Sequence, residues 1–385
     1  MDFTYDDDQD SLREAVRGLV GKAYSDFGLR RQAVADEPGY SADLWGKLAE
    51  MGLLGLPFSE DDGGSGAGPV EVAIVAEELG RVIAPEPFLS AVVLAGGVVA
   101  AVGTDEQRAE VLGALSSGER TVAFAHNEPG RRWSATASDV KASGEGDSWT
   151  LEGVKEPVLH GASADVLVVS AVLPDGGTGL FLVDAVEPTA ATGLERVSHT
   201  TFDGGRSARV TFSGTTATPL GVAGTDQSAA IARALDGARI IACAEAVGAM
   251  DVALHTTTAY LKTRKQFGVT LNTFQALTFR AADMYVSLEL ATSMTQWATM
   301  VLAQGTDPEI AVAAHRAGLQ VSRSGRHIGQ EAIQLHGGIG MTAEYSVGSY
   351  TSHLTALDHA FGDGSFHLGA LTSAVADHGA IDPLA

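Results

Sequence analysis

Tyr260-Leu-Lys-Thr-Arg264-Lys265-Gln266-Phe267-Gly268, followed by Leu271-Asn-Thr-Phe274-Gln275 and then by Ala281-Ala-Asp283-Met284, is the string from which the rest of the chain can be read. Apolar residues at three- and four-residue steps lead into it, which predicts a long helix ending at Phe267-Gly268, where glycine supplies a terminus. Lys262, Arg264 and Lys265 then fall in the last turn, where cations complement the negative end of the helix dipole. The same cluster suits a phosphate. Such clusters are scarce here: 25 Lys and Arg stand against 48 Asp and Glu, a formal charge of −23.

Outward from this string the helical period continues. Ile333-Gln334-Leu-His336-Gly337-Gly338-Ile-Gly340-Met-Thr-Ala-Glu344-Tyr345 closes a second long stretch. Paired glycines after a helix let a backbone with exposed N–H groups approach a ligand closely, as a pyrophosphate requires. Leu235-Asp236-Gly237-Ala238-Arg239-Ile240 opens the helix that runs into the first string. Helical stretches over 227–262, 272–303 and 307–336, with a last one near 364–377, predict a four-helix bundle. Between Thr121 and about Gly224 the pattern changes to short β-branched runs punctuated by Gly, Asp and Ser, such as Ala164-Asp-Val-Leu-Val-Val-Ser, which predicts an antiparallel barrel or sandwich. From Gln9 to Gly113 Leu12, Val16, Leu19 and Val20 recur at helical spacing, as do Leu44, Leu48 and Met51. The expected fold is therefore α+β: an N-terminal helical domain (1–120), a middle antiparallel β domain (121–225) and a C-terminal helical bundle (226–385). A chain of 385 residues is long enough for three such units.

Composition excludes several classes of function. Basic residues form no run on this acidic chain, so no nucleic acid is expected as a partner. The single cysteine, Cys243, leaves no intramolecular disulfide and no cysteine-cluster metal site, and no metal is expected. The N-terminus is acidic where a secretory signal would be basic and then apolar, and no apolar run nears the roughly 18 residues that span a bilayer. The expectation is a cytoplasmic protein without a membrane span.

Arg264-x-x-Phe267-Gly268, Phe274-Gln275, Ala282-Asp283-Met284 and Gln334-x-x-Gly337-Gly338 together resemble the signature of the acyl-CoA dehydrogenase family. The resemblance extends over essentially the whole chain, through Glu77-Glu78-Leu79-Gly80 and Phe124-Ala-His126-Asn127-Glu128-Pro129-Gly130. It implies FAD as cofactor, an acyl-CoA substrate dehydrogenated to the trans-2-enoyl thioester, and an electron-transfer flavoprotein as electron acceptor. It implies that Arg264, Gln275 and Gly337-Gly338 of one chain complete the FAD site of a neighbour, in a homodimer or homotetramer, and that Gln266, Phe274 and Gln334 also bind the cofactor. Phe124, His126, Asn127, Val158, Leu159 and Ser365 then face the flavin, and Arg239 the substrate.

Three departures follow. Glu128-Pro129-Gly130 runs into Arg131-Arg132-Trp133-Ser134 where the family has Ala-Gly-Ser-Asp, and Pro157-Val158-Leu159 stands for its Trp-Ile-Thr/Ser, leaving backbone contacts but no hydroxyl for flavin N5. The third concerns the base. An α-CH beside a thioester is a weak acid, so a desolvated carboxylate must sit within reach. Of the two family positions for it, one falls on Gly237 or Ala238, which cannot act, and the other on Asp363-Gly364-Ser365. Asp363 is accordingly the candidate catalytic base, one carbon shorter than Glu and at a later spacing from Gly338, in a Phe-Gly-Asp-Gly string that also suits a turn. Glu245 and Glu344 are further carboxylates near the motifs. The alternatives are a partner-dependent subunit in a heteromer with a homologous chain that supplies the Glu, a same-fold flavin enzyme with another reaction, and a purely structural helical scaffold.

Overall fold

The computed structural model describes residues 4–186 and 192–375. Helices come first: α1 (Asp7–Ala23), α2 (Phe27–Ala35), α3 (Ala42–Glu50) and α4 (Pro69–Arg81), then a wide π-helical turn over Phe88–Gly96 that passes into α5 (Gly97–Val102), and α6 (Asp105–Ser116). Side chains specify where they start. Asp6 and Gln9 close a reciprocal capping box on α1, and Thr104 and Gln107 do so on α6.

Among the described residues seven strands follow: β1 (Val122–Ala125), β2 (Lys141–Glu145), β3 (Ser148–Leu159), β4 (Val166–Val172), β5 (Thr178–Asp184), β6 (Leu194–Thr200) and β7 (Arg206–Pro219). Pairing runs β1-β4-β2-β3-β7-β5, and β5 also pairs with β4, so the sheet curls back on itself around Val158, Leu167, Val169, Phe181, Val210 and Phe212. Most pairs are antiparallel, as expected. β1 and β4 are parallel, Val122 opposite Val166, because the β2–β3 hairpin lies between them and returns the chain in its original direction. Within the barrel Lys155 is fully buried and bonds Glu128 at 2.8 Å. Glu128 also accepts from the backbone N–H of Ser138, Asp139 and Val140. Burial alone would raise this carboxyl, but Lys155 and these donors outweigh it and hold it at about 2. The pair thereby ties down both ends of the loop that contains Trp133.

The last domain contains α7 (Ser228–Thr263), a short hairpin β8 (Lys265–Gln266) and β9 (Val269–Thr270), α8 (Gln275–Gln304), α9 (Asp307–His336), α10 (Val347–Phe361) and α11 (Gly364–Ser373). Two details correct the sequence reading. The long helix stops at Thr263, with Arg264 already extended, and Phe267 and Gly268 have positive φ (52° and 82°), forming a hairpin turn rather than a helix terminus. The bundle also has an additional helix, α10. Its sequence carries Ser, Thr and His at six positions and one Gly, none a strong helix former, and it is held as a helix by burying Val347, Tyr350, Leu354 and Phe361 on one side.

The helical domains join where α4 crosses α7. A Cβ at Gly80 would lie 1.9 Å from the carbonyl oxygen of Glu245, and one at Gly248 would lie 1.9 Å from that of Glu77. The two backbones touch, and only glycine allows it.

Candidate active site

All three domains border one cavity of about 550 Å³, a size suited to a small-molecule or cofactor site. Leu89, Leu159 and Phe361 give it apolar walls, while its polar lining comes from every domain: Arg30 and Glu86 from the first, Asp203 and Arg206 from the second, Glu245 and His353 from the third. Arg30 donates from Nε to the Ile83 carbonyl (2.6 Å) and from Nη2 to that of Asp203 (3.2 Å). His353 lies between two carboxylates, Nδ1 2.7 Å from Asp203 and Nε2 3.0 Å from Glu245. Burial would depress this imidazole, but the flanking carboxylates push it up to about 9, so it carries a proton at neutral pH. Glu86 accepts from Tyr24 at 2.6 Å, and burial raises its carboxyl to about 7.

Glu86 Oε2 and Arg206 Nε are buried without a hydrogen-bond partner, and both residues line this cavity. Native proteins seldom leave buried polar atoms unsatisfied. A donor and an acceptor on an apolar slot suit the edge of a flavin ring, which presents carbonyl oxygens beside an N–H. The residues present therefore fit an isoalloxazine.

Beside the cavity, on the far side of Asn127, Trp133 and Leu159, lies a recess of only about 30 Å³ walled further by Phe124, His126 and Arg239. The sequence-predicted residues Phe124, His126, Asn127, Leu159 and Arg239 are thus brought together. Phe124 and His126 stack at 4.9 Å with an interplanar angle of 5°. His126 is bonded to Ser170 and to the Ser134 carbonyl, and burial pushes it down to about 4. Arg239 donates from Nε to the Phe361 carbonyl (2.8 Å) and from Nη1 to Asp236 (2.7 Å), fixing the end of α10. Val158 points elsewhere: its side chain is buried in the barrel core, and its carbonyl accepts from Ser207 and Gly161.

Asp363 is the N-cap of α11, accepting from Phe366 N at 2.8 Å, and it lines neither the cavity nor the recess. Ser365 is exposed in the first turn of the same helix. The remaining predicted residues form a second group at one end of the bundle. Tyr260 stacks on His336 at 4.5 Å, which brings the ends of α7 and α9 together. Arg264, Gln266, Gln275, Gln334, Gly337 and Gly338 are all exposed there, and Phe274 is half-buried beneath Phe267, itself 91% exposed. Sequence reasoning missed Trp133, Arg30, Glu86 and His353 as site residues and passed over Glu245. No local pattern marks them, because they converge from separate elements.

Comparison with known proteins agrees on the fold and family. Residues 6–119 match the acyl-CoA dehydrogenase N-terminal domain and residues 228–375 the acyl-CoA dehydrogenase C-terminal domain. The probable acyl-CoA dehydrogenase YngJ of Bacillus subtilis is 30% identical over 90% of this chain and 92% of its own. Among solved structures, a variant of the Tcur3481–Tcur3483 steroid ACAD is 31% identical with a TM-score of 0.86, over 96% of this chain and 98% of that one. A chain of the ChsE4–ChsE5 complex from Mycobacterium tuberculosis is 26% identical with a TM-score of 0.86, over 99% and 100%. Among the described residues no helix is long and apolar enough to cross a membrane.

Proposed function

The chain belongs to the acyl-CoA dehydrogenase family, and from that premise we propose that it works as an FAD-binding subunit in the α,β-dehydrogenation of an acyl-CoA thioester, paired with a homologous chain that carries the catalytic carboxylate. The observation behind this reading is the recess: its lining includes Arg239 and His126 but no carboxylate. Proton abstraction next to a thioester needs an acid–base group within hydrogen-bond reach. His126 is spoken for at both ring nitrogens. FAD, when bound, supplies the acceptor for the β-hydride, and an electron-transfer flavoprotein receives the electrons.

The chain's own residues divide the remaining work. The cavity walls at Leu159 and Phe361 would exclude water from a bound ring, and Arg206 and Glu86 would hold its polar edge. Arg239 positions the Phe361 turn and brings positive charge to the wall of the recess. Arg264, Gln266, Phe274, Gln275, Gln334 and the Gly337-Gly338 backbone would reach a neighbour's FAD, the role expected of exposed donors at the end of a bundle. Two of the similar structures are named for pairs of chains, Tcur3481–Tcur3483 and ChsE4–ChsE5, which favours an unlike partner.

The test is flavin content and turnover of the chain expressed alone and with a homologous partner. Partner-dependent turnover is the expected result. A second reading, with Asp363 as base in a homo-oligomer, is favoured by its place two residues beyond Phe361 and by a cap that uses one oxygen. Asp363→Asn separates the two, since Asn caps as well as Asp whereas Asp363→Ala costs about 1 kcal/mol of cap. If Asp363→Asn keeps its flavin and loses a thousandfold or more of turnover, the base is Asp363.

A further inference from the structure

The recess as it stands has room for a water or two and not for an acyl chain. One of its walls must therefore move when substrate enters. Most are held in regular elements: Ser90 and Leu94 in the π-helical turn, Leu235 and Arg239 in α7, Leu159 in β3, Phe361 in α10. Trp133 is different. It lies in an irregular loop between β1 and β2, with φ of 64°, a backbone conformation that side chains other than glycine rarely adopt. Its ring is held by a hydrogen bond from Nε1 to the His359 carbonyl (3.1 Å) and by a tilted contact with Phe366 at 5.2 Å. It also lines both the recess and the 550 Å³ cavity.

We propose that Trp133 is the specificity-determining wall of the acyl recess: its indole closes the recess against the end of α10, and how far it swings sets the bulk of the acyl group admitted beside the flavin. The proposal rests on reading the recess as the acyl site. Strain of this kind at a cavity wall is a common property of positions that must change conformation. The surrounding frame stays fixed because Glu128 and Lys155 pin the segments on either side of the loop.

The experiment uses the flavin-loaded protein, with its partner where one is required, titrated with non-oxidisable alkyl-CoA thioethers of rising bulk, from butyl through cyclohexylmethyl to fused-ring groups. Binding is read from the visible flavin band and from tryptophan fluorescence. Trp133→Gly, which suits a positive φ, should bind the bulkiest thioether at least tenfold more tightly than the native protein and the butyl compound less tightly. Trp133→Phe, which keeps a ring but loses the bond to His359, should fall between them. Unchanged ranking across the series in Trp133→Gly with full flavin content overturns the proposal alone. No response to any thioether in any of the proteins overturns the acyl reading of the recess as well. Should Trp133→Gly lose flavin, a Trp133→Phe variant with the native ranking and native affinities overturns the proposal by itself.

Discussion

The cavity at the domain junction and the surface around Arg264 are opposite solutions to the placing of charge. At the junction, charges from three domains are buried and mostly paired within the chain, as in the Asp203–His353–Glu245 row. At the end of the bundle, Arg264, Lys265 and Gln275 are exposed beside Phe267, and apolar Phe279, Val286 and Leu290 are 53–58% exposed along α8. Apolar groups spaced along one exposed helix suit a surface for binding another chain. The first region is assembled by folding alone; in the proposed function the second would be completed by a neighbouring chain.

The contrast predicts different consequences for mutation. The largest effect should come from Lys155→Met, which leaves the Glu128 carboxylate buried without its cation at a site with no exposure. Breaking a buried pair costs about 3–5 kcal/mol, and thermal denaturation of the isolated chain should show it whether or not a partner is present. Arg264→Ala should instead leave the melting temperature within a degree or two while weakening FAD retention by the assembled protein tenfold or more, measured by equilibrium dialysis. A large drop in the melting temperature of Arg264→Ala would erase the distinction between the regions. The smallest effect is pH dependence at the junction. His353 has a folded value raised from its ordinary 6.5 to about 9. Its contribution is therefore fully present below about pH 6.5 and is lost as pH rises through about 9. Melting temperature should fall by a few degrees over that window, and His353→Gln should flatten the slope.

What the sequence disclosed tracks this same division. The surface residues lie in two contiguous strings, Arg264 to Gln275 and Gln334 to Gly338, compact enough for the family resemblance to single them out. The recess was half legible: Phe124, His126 and Asn127 adjoin in sequence, and Leu159 and Arg239 came with the family resemblance. The junction was not, since Arg30, Glu86, Asp203, Glu245 and His353 are isolated polar residues in five separate segments, and nothing local distinguishes a buried charge from a solvated one. Asp363 shows the converse limit. A carboxylate at a helix start reads the same in sequence whether it caps or reacts, and its bond to Phe366 N is a matter of backbone geometry. α10 was missed because burial of Tyr350, Leu354 and Phe361, a tertiary effect, overrides the weak helix propensity of its Ser, Thr and His residues.

The crossing of α4 on α7 at Gly80 and Gly248 has a mechanical consequence. With the two backbones in contact, the first and last domains cannot shear past one another without colliding, and they behave as one rigid frame. Any breathing that admits a ligand between the three domains must then be a movement of the barrel against that frame, pivoting on the segments near Thr121 and Leu220 that join it to the helices. The loop with Trp133 travels with the barrel, so the door and its hinge lie on the same moving part.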